Sequence, residues 1–265
     1  MSLSADKVVA ASNAWVWIPD NATTEATPEY LLARFPDYFD HPLELLRFNP
    51  AETSEAALAA AVETVLDRGR QFGQPDLYWW VRPDSPPEIV GLLLARGATV
   101  DVALDVLAID LRQGQPELPP PVKEVTLRWA TDVATYRDGI GVGVASFGLS
   151  MPPEERLAED AKRDGAAVTA GDGGMVVAYV DGAPVGSGAV TMADGAARLW
   201  FASVVESARG QGVYRALLGA RLGYGAARGA TMGLVKGRVS TSGPILRRAG
   251  FNAYGHEIMY RVPLA

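Results

Sequence analysis

Along this chain the spacing of apolar residues changes repeatedly between helical and alternating periods, and the changes mark its elements. From Ser54 to Arg70 an Ala-rich run carries apolar residues at helical spacing, with Ser54 placed as N-terminal cap. Leu77-Tyr78-Trp79-Trp80-Val81 suits a buried strand, Pro87–Ala98 a short helix closed at Gly97, and Val100–Leu111 a second strand. That order returns later as a helix over 212–229, a strand Met232–Lys236, a short helix closed at Gly250 and a terminal strand Glu257–Leu264. Between the two stand a strand Val125–Trp129, a helix Asp132–Ala145 capped by Thr131, and a helix Pro152–Asp164 with its prolines at the start. Met175–Val180 and Pro184–Met192 read as a hairpin about Asp181-Gly182, followed by a strand Ala197–Val205. A mixed sheet flanked by helices follows, an α/β (α+β) fold class.

Gln113–Pro121 interrupts this pattern. Its consecutive prolines remove backbone donors and favour an extended, semi-rigid connection. The expected organisation is therefore a domain over 1–112, a linker over 113–122 and a second domain over 123–265. The shared order of elements suggests that the two sides are related repeats. Only the later one has a glycine turn; the earlier reads Phe48-Asn49-Pro50-Ala51-Glu52-Thr53 at that point.

That turn lies within Leu199–Leu218. An apolar run ends at Glu206, Arg209-Gly210-Gln211-Gly212 follows, and a helix-forming run begins at Val213. Strand, glycine turn and helix leave unpaired backbone N–H groups at the positive end of a helix dipole, a site for phosphate. Charge is distributed accordingly. Residues 1–120 hold 18 acids and 8 bases, a net −10, whereas 198–265 hold 10 bases and only Glu206 and Glu257 as acids. A solvated basic helix face would give the same count. Nucleic acid is not indicated, because the arginines lack interleaved aromatics. A dinucleotide fingerprint is excluded by Arg215 where a third glycine belongs, and a P-loop by the lack of Gly-Lys-Ser/Thr. An ordinary strand–turn–helix with incidental glycines remains as the alternative.

The 265 residues, 48% apolar and 21% charged, provide for a sizeable core. With no Cys, disulfides, a cysteine nucleophile and thiolate metal sites are excluded. His41 and His256 lie far apart and no G-x-S-x-G occurs, so neither a metal site nor a Ser–His–Asp hydrolase is expected. Apolar runs such as Ile89–Ala95 are too short to cross a bilayer, and no secretory signal is evident, so a cytoplasmic protein is expected. Met1-Ser2-Leu3 carries no weight in this reading.

These residues resemble the GNAT superfamily of N-acyltransferases. Its signature, Arg/Gln-x-x-Gly-x-Gly/Ala after a strand ending in Val, is matched by Val204-Val205-Glu206-Ser207-Ala208-Arg209-Gly210-Gln211-Gly212-Val213-Tyr214. Its later short helix ending in Gly-Phe is matched by Ile245–Phe251. The resemblance spans about 124–264, with 1–111 as a degenerate partner lacking the signature. It implies two GNAT-like domains, each a mixed, mostly antiparallel sheet flanked by helices.

The resemblance also implies an acyl-CoA donor, acetyl-CoA, and a small-molecule or peptide amine acceptor, with no nucleic acid, membrane or metal. Amides of Gln211, Gly212, Val213 and Tyr214 would hold the pyrophosphate, Gly210 and Gly212 would admit it without a Cβ, and Arg209 would add charge. A strand splayed at a bulge over Ser203, Val204 and Val205 would offer backbone groups to the pantetheine and an N–H to the thioester oxygen. Ser242 stands near where an Asn would contact CoA, or else caps the short helix. Two positions depart from the family's pattern: Tyr214 replaces Gly or Ala, and Leu246 stands where a Tyr often protonates the leaving thiolate. Glu206 is the nearest carboxylate in sequence to serve as base, or else an exposed loop acid. His256 and Tyr260 lie on the terminal segment that usually borders the acceptor pocket, in structural or catalytic roles. The alternative function is a non-catalytic acyl-CoA-binding or interaction protein.

Overall fold

The computed structural model describes residues 3–264; Met1, Ser2 and Ala265 lie outside the described residues. The chain runs α1 (Ala5–Asn13), β1 (Thr23–Ala26), β2 (Tyr30–Arg34), β3 (Leu43–Phe48), α2 (Glu55–Gln71), β4 (Asp76–Val81), α3 (Ile89–Leu94) and β5 (Thr99–Asp110). It continues through β6 (Thr126–Trp129), α4 (Val133–Phe147), α5 (Glu154–Ala170), β7 (Gly173–Val180), β8 (Ala183–Ala193) and β9 (Ala196–Val204). It ends with α6 (Val213–Ala227), β10 (Met232–Arg238), α7 (Ser242–Arg248) and β11 (Asn252–Pro263). The repeated order expected from sequence is present, as α2-β4-α3-β5 and α6-β10-α7-β11.

Two compact units divide these elements. One holds Leu107–Lys236 and Pro244–Ala253 together with residues 3–8. Its strands lie in the order β10-β9-β8-β7-β6, antiparallel except for the β9–β10 pair. β7, a continuous apolar run, is buried along its whole length, as a strand covered on both faces must be. α4 and α6 both pack against it. The stripe Val213, Leu217, Leu218 and Leu222 of α6 joins the apolar cores of this unit. Asp181 (φ 50°) and Gly182 (φ 80°) close the β7–β8 hairpin in the left-handed geometry that a two-residue turn needs.

The other unit holds Val9–Val106, Gly237–Gly243 and residues 254–264. Here the order is β1-β2-β3-β4-β11, with β3 and β4 parallel and the other pairs antiparallel. The terminal strand thus pairs with β4, Tyr260 opposite Trp79 and Val262 opposite Leu77, over a core that includes Leu32, Leu45, Leu58 and Leu66.

Two local expectations change. α4 is capped by Asp132 rather than Thr131: the Asp132 carboxylate accepts from Thr135 N–H at 2.8 Å and from its hydroxyl at 2.8 Å. These bonds hold the Asp132 carboxyl below its ordinary pKa. α5 runs on past Asp164 to Ala170, where Gly171 turns left-handed (φ 89°) and ends it.

Candidate functional site

β9 pairs with β10 only from Ala196 to Leu199, opposite Met232 to Val235, and is free of it from Trp200 onward among the described residues. Its other edge stays on β8, with Ala189 opposite Trp200, then Ser187 opposite Ser203 and Gly186 opposite Val204. Gly188 therefore faces two residues, Phe201 and Ala202, which is a β-bulge. Phe201 adopts φ 53°, a left-handed conformation that costs a bulky residue about 1–3 kcal/mol. Its ring is seated on α4 at Gly143, where an added Cβ would lie 2.3 Å from Phe201 Cζ. The bulge thus falls just before Ser203, Val204 and Val205.

Backbone directions alternate beyond it. Val205 N–H donates to Val185 C=O at 2.9 Å, so its amide belongs to the β8 ladder and is not open to a ligand. By the same alternation Ser203 faces β8 and Val204 faces the parted side, where its carbonyl accepts from Arg209 Nε at 3.2 Å. Of the three, Val204 is the one whose backbone lines the break.

A single 3-10 turn, Glu206–Ala208, leads to Gly210 (φ 75°) and Gly212 (φ 88°), and Gly212 is the N-cap of α6. Among the described residues no carbonyl accepts from the backbone amides of Gly210, Gln211, Gly212, Val213, Tyr214 or Arg215; the first bond back into the helix is Ala216 N–H to Gly212 C=O, 3.1 Å. Six consecutive unpaired amides at a helix start form a cradle for an anion. The Gln211 side chain is folded back, Nε2 donating to Ser207 C=O at 2.9 Å.

The two glycines do different things. A Cβ on Gly210 would meet nothing within 4 Å, so this position is open to a ligand. A Cβ on Gly212 would lie 2.6 Å from Pro121 Cα, so there the space serves the chain itself. Residues 115–122 are laid along α6. Val122 N–H donates to Gln211 C=O at 2.9 Å, and Arg215 donates to the carbonyls of Pro119 (3.1 Å) and Pro120 (3.4 Å). Leu118 and Gln115 face Gly219 and Gly223 further along the helix.

Beneath the bulge lies a group that sequence reasoning missed. Arg221 is buried, its guanidinium packed over Gly188 and its Nε donating to Leu217 C=O at 3.1 Å. Burial pulls its pKa down, and the Tyr214 phenol partly offsets this. The spacing Val213, Leu217, Arg221 would have placed it on the buried stripe of α6. Tyr214 itself is partly buried between two apolar clusters.

The remaining candidates are dispersed. Glu206 is exposed on the 3-10 turn. The Ser203 hydroxyl is buried, 3.4 Å from that of Ser187. Ser242, in the other unit, begins α7, and its hydroxyl accepts from Arg238 N–H at 2.8 Å. In that unit too, His256 Nδ1 lies 2.9 Å from Asp105 Oδ1, and Tyr260 is buried in the core. Leu246 is turned into the apolar core with Ile109 and Phe251. Among the described residues no group of three His, Cys, Asp or Glu is placed to hold a metal, and no helix is long and apolar enough to cross a membrane.

Comparison with known proteins accords with this geometry. Residues 144–239 match the model of the acetyltransferase (GNAT) family. No curated protein matches the chain in sequence. A GCN5-related N-acetyltransferase of Kribbella flavida superposes with a TM-score of 0.67 at 17% identity, over 99% of this chain and 96% of that one. One from Sphaerobacter thermophilus gives 0.72 at 18% identity over 91% and 82%. A tandem GNAT protein from the clavulanic acid biosynthesis pathway gives 0.64 at 17% over 97% and 88%. Residues 144–239 thus match the acetyltransferase (GNAT) family model, and the chain shares its fold with GNAT proteins of known structure, a tandem one among them.

Proposed function

We propose that this protein is an acyl-CoA-dependent N-acyltransferase that uses acetyl-CoA and transfers the acetyl group to an amine. The observation that carries the reading is the run of six unpaired amides, Gly210 to Arg215, beside the strand break. The amides of Gly210–Tyr214 would hold the pyrophosphate, with Arg209 adding positive charge near it. Val204, facing the break, would pair with the pantetheine and turn its N–H toward the thioester oxygen. Ser203 and Val205 fix that orientation through the β8 ladder. The site's residues would all fall within 123–236, with 113–122 as the connection and 1–112 as a partner that lacks the signature.

Attack of a neutral amine on the thioester carbonyl forms the C–N bond, breaks the C–S bond and releases thiolate. The amine must also lose a proton, and Glu206, exposed beside the turn, would take it through water. With Leu246 in the core no hydroxyl is offered there to the thiolate, which leaves with little help. The same observation favours a second reading, a non-catalytic acyl-CoA-binding protein. Calorimetric titration with acetyl-CoA, followed by thiol release across an amine panel, separates the cases. Binding with acceptor-dependent release supports the enzyme, binding without release supports the second reading, and no binding rejects both.

A further inference from the structure

Beside the strand break, an aromatic tier lies exposed. The bulge puts two consecutive residues on one face of the sheet: Trp200, opposite Ala189, and Phe201, packed in one cluster with Ala189 and α4. Phe147, at the end of α4, has its ring 5.7 Å from that of Phe201, and the Trp200 ring lies 6.3 Å from that of Phe201. Met151 reaches the same helix at Gly141. Trp200 is 42% exposed, Phe147 50% and Met151 46%. The Trp200 indole N–H donates to Thr191 Oγ1 at 3.0 Å, which fixes the ring and leaves its apolar surface to the outside. Phe201 holds a left-handed backbone to take its place in the tier. Strain of that kind, next to a cluster of exposed aromatics, marks a surface kept for contact rather than for stability.

From these residues we infer that the acceptor carries its amine on an aromatic body, an arylalkylamine, whose ring lies on Trp200, Phe201 and Phe147. The inference rests on the acyl-transfer reading, because it takes the thioester to lie at the break where Val204 turns outward. Aromatic rings prefer offset or edge-to-face contact at 4.5–7 Å between centroids, the spacing already present within the tier. A ring laid on a pre-fixed surface loses little conformational freedom on binding. An amine with a short alkyl spacer then reaches past the bulge toward the break.

The test compares 2-phenylethylamine with ethanolamine, both primary amines. kcat/KM is measured at saturating acetyl-CoA, and calorimetric Kd both with and without CoA. The expected result is a preference for 2-phenylethylamine of about 30-fold or more, from burial of the phenyl surface. Phe147→Ala should cut that preference roughly tenfold and leave the acetyl-CoA Kd unchanged, with Phe147→Tyr restoring most of it. Equal constants for the two amines would overturn the inference, as would a preference that Phe147→Ala leaves intact. Sedimentation showing a dimer that Phe147→Ala dissociates would also overturn it, by giving the tier to a second copy. Failure of acetyl-CoA to bind would instead remove the acyl-transfer reading, and the amine Kd values would still decide whether the tier takes an aromatic amine.

Discussion

A side chain at Gly210 would enter open space, whereas one at Gly212 would strike Pro121 Cα at 2.6 Å, although both residues have left-handed φ. Gly210→Ala should therefore cost only the backbone term, about 1 kcal/mol, while Gly212→Ala adds a backbone clash and should cost about 2–4 kcal/mol. Urea denaturation reads the stabilities and calorimetry the acetyl-CoA affinity, which Gly212→Ala should weaken further by displacing Pro121 and the turn. Equal cost for the two substitutions would refute this account. The turn itself was legible in sequence, because left-handed glycines and an uncapped helix start are local features. Arg221 was missed, although its place on the stripe Val213, Leu217, Arg221 is a local signal that could have shown it. Phe201 was not legible. Its conformation is set by β8, which offers a single residue, Gly188, against two of β9, and by the vacancy at Gly143 on α4.

At the scale of elements, the proline stretch is a strap rather than a free spacer. It meets α6 from Gly223 back to Gly212 and ends with Val122 N–H on the Gln211 carbonyl, holding one peptide of the amide cradle. Val122→Pro deletes that donor while extending a proline run that already exists; Val122→Ala keeps it. Loss of one such bond corresponds to about 0.5–1.5 kcal/mol. The KM for acetyl-CoA should rise roughly 3- to 10-fold in Val122→Pro, with kcat and the acceptor KM little changed and Val122→Ala like the parent. Parallel behaviour of the two variants would show that the bond does not position the turn. Helices α2, α4 and α6 and strands β6 to β10 followed from periodicity. β1 to β3 were not read, since β1 is four mostly exposed residues, although Leu32, Leu43 and Leu45 carry a core signal in β2 and β3. Asp132 displaced Thr131 as cap because its longer acceptor reaches both groups of Thr135.

Stability of the whole molecule carries a pH signature from the unit that lacks the glycine turn. Glu44, on β3, accepts from Trp80 Nε1–H at 3.0 Å, and burial pushes its pKa up to about 7, against the opposing pull of that bond and of Arg82. The folded state then holds a proton that the unfolded chain releases near pH 4.5, so stability falls as pH rises from about 4.5 to 7. Glu44 keeps some exposed surface, so the loss amounts to about 1–2 kcal/mol. Glu44→Gln, which can still accept from Trp80, should remove that slope and be the more stable protein at pH 8. Denaturation curves at pH 5, 6, 7 and 8 for the two proteins check this, and parallel pH profiles would refute it. The sequence alone settled the succession of helices and strands from α2 onward and the glycine turn that opens α6. Each of these depends on residues within a few positions of one another. Only the tertiary structure decided that β11 pairs with β4, that β9 bulges at Phe201, and that Pro121 fills the space beside Gly212. Those outcomes depend on contacts between residues tens to hundreds of positions apart, which no local spacing records.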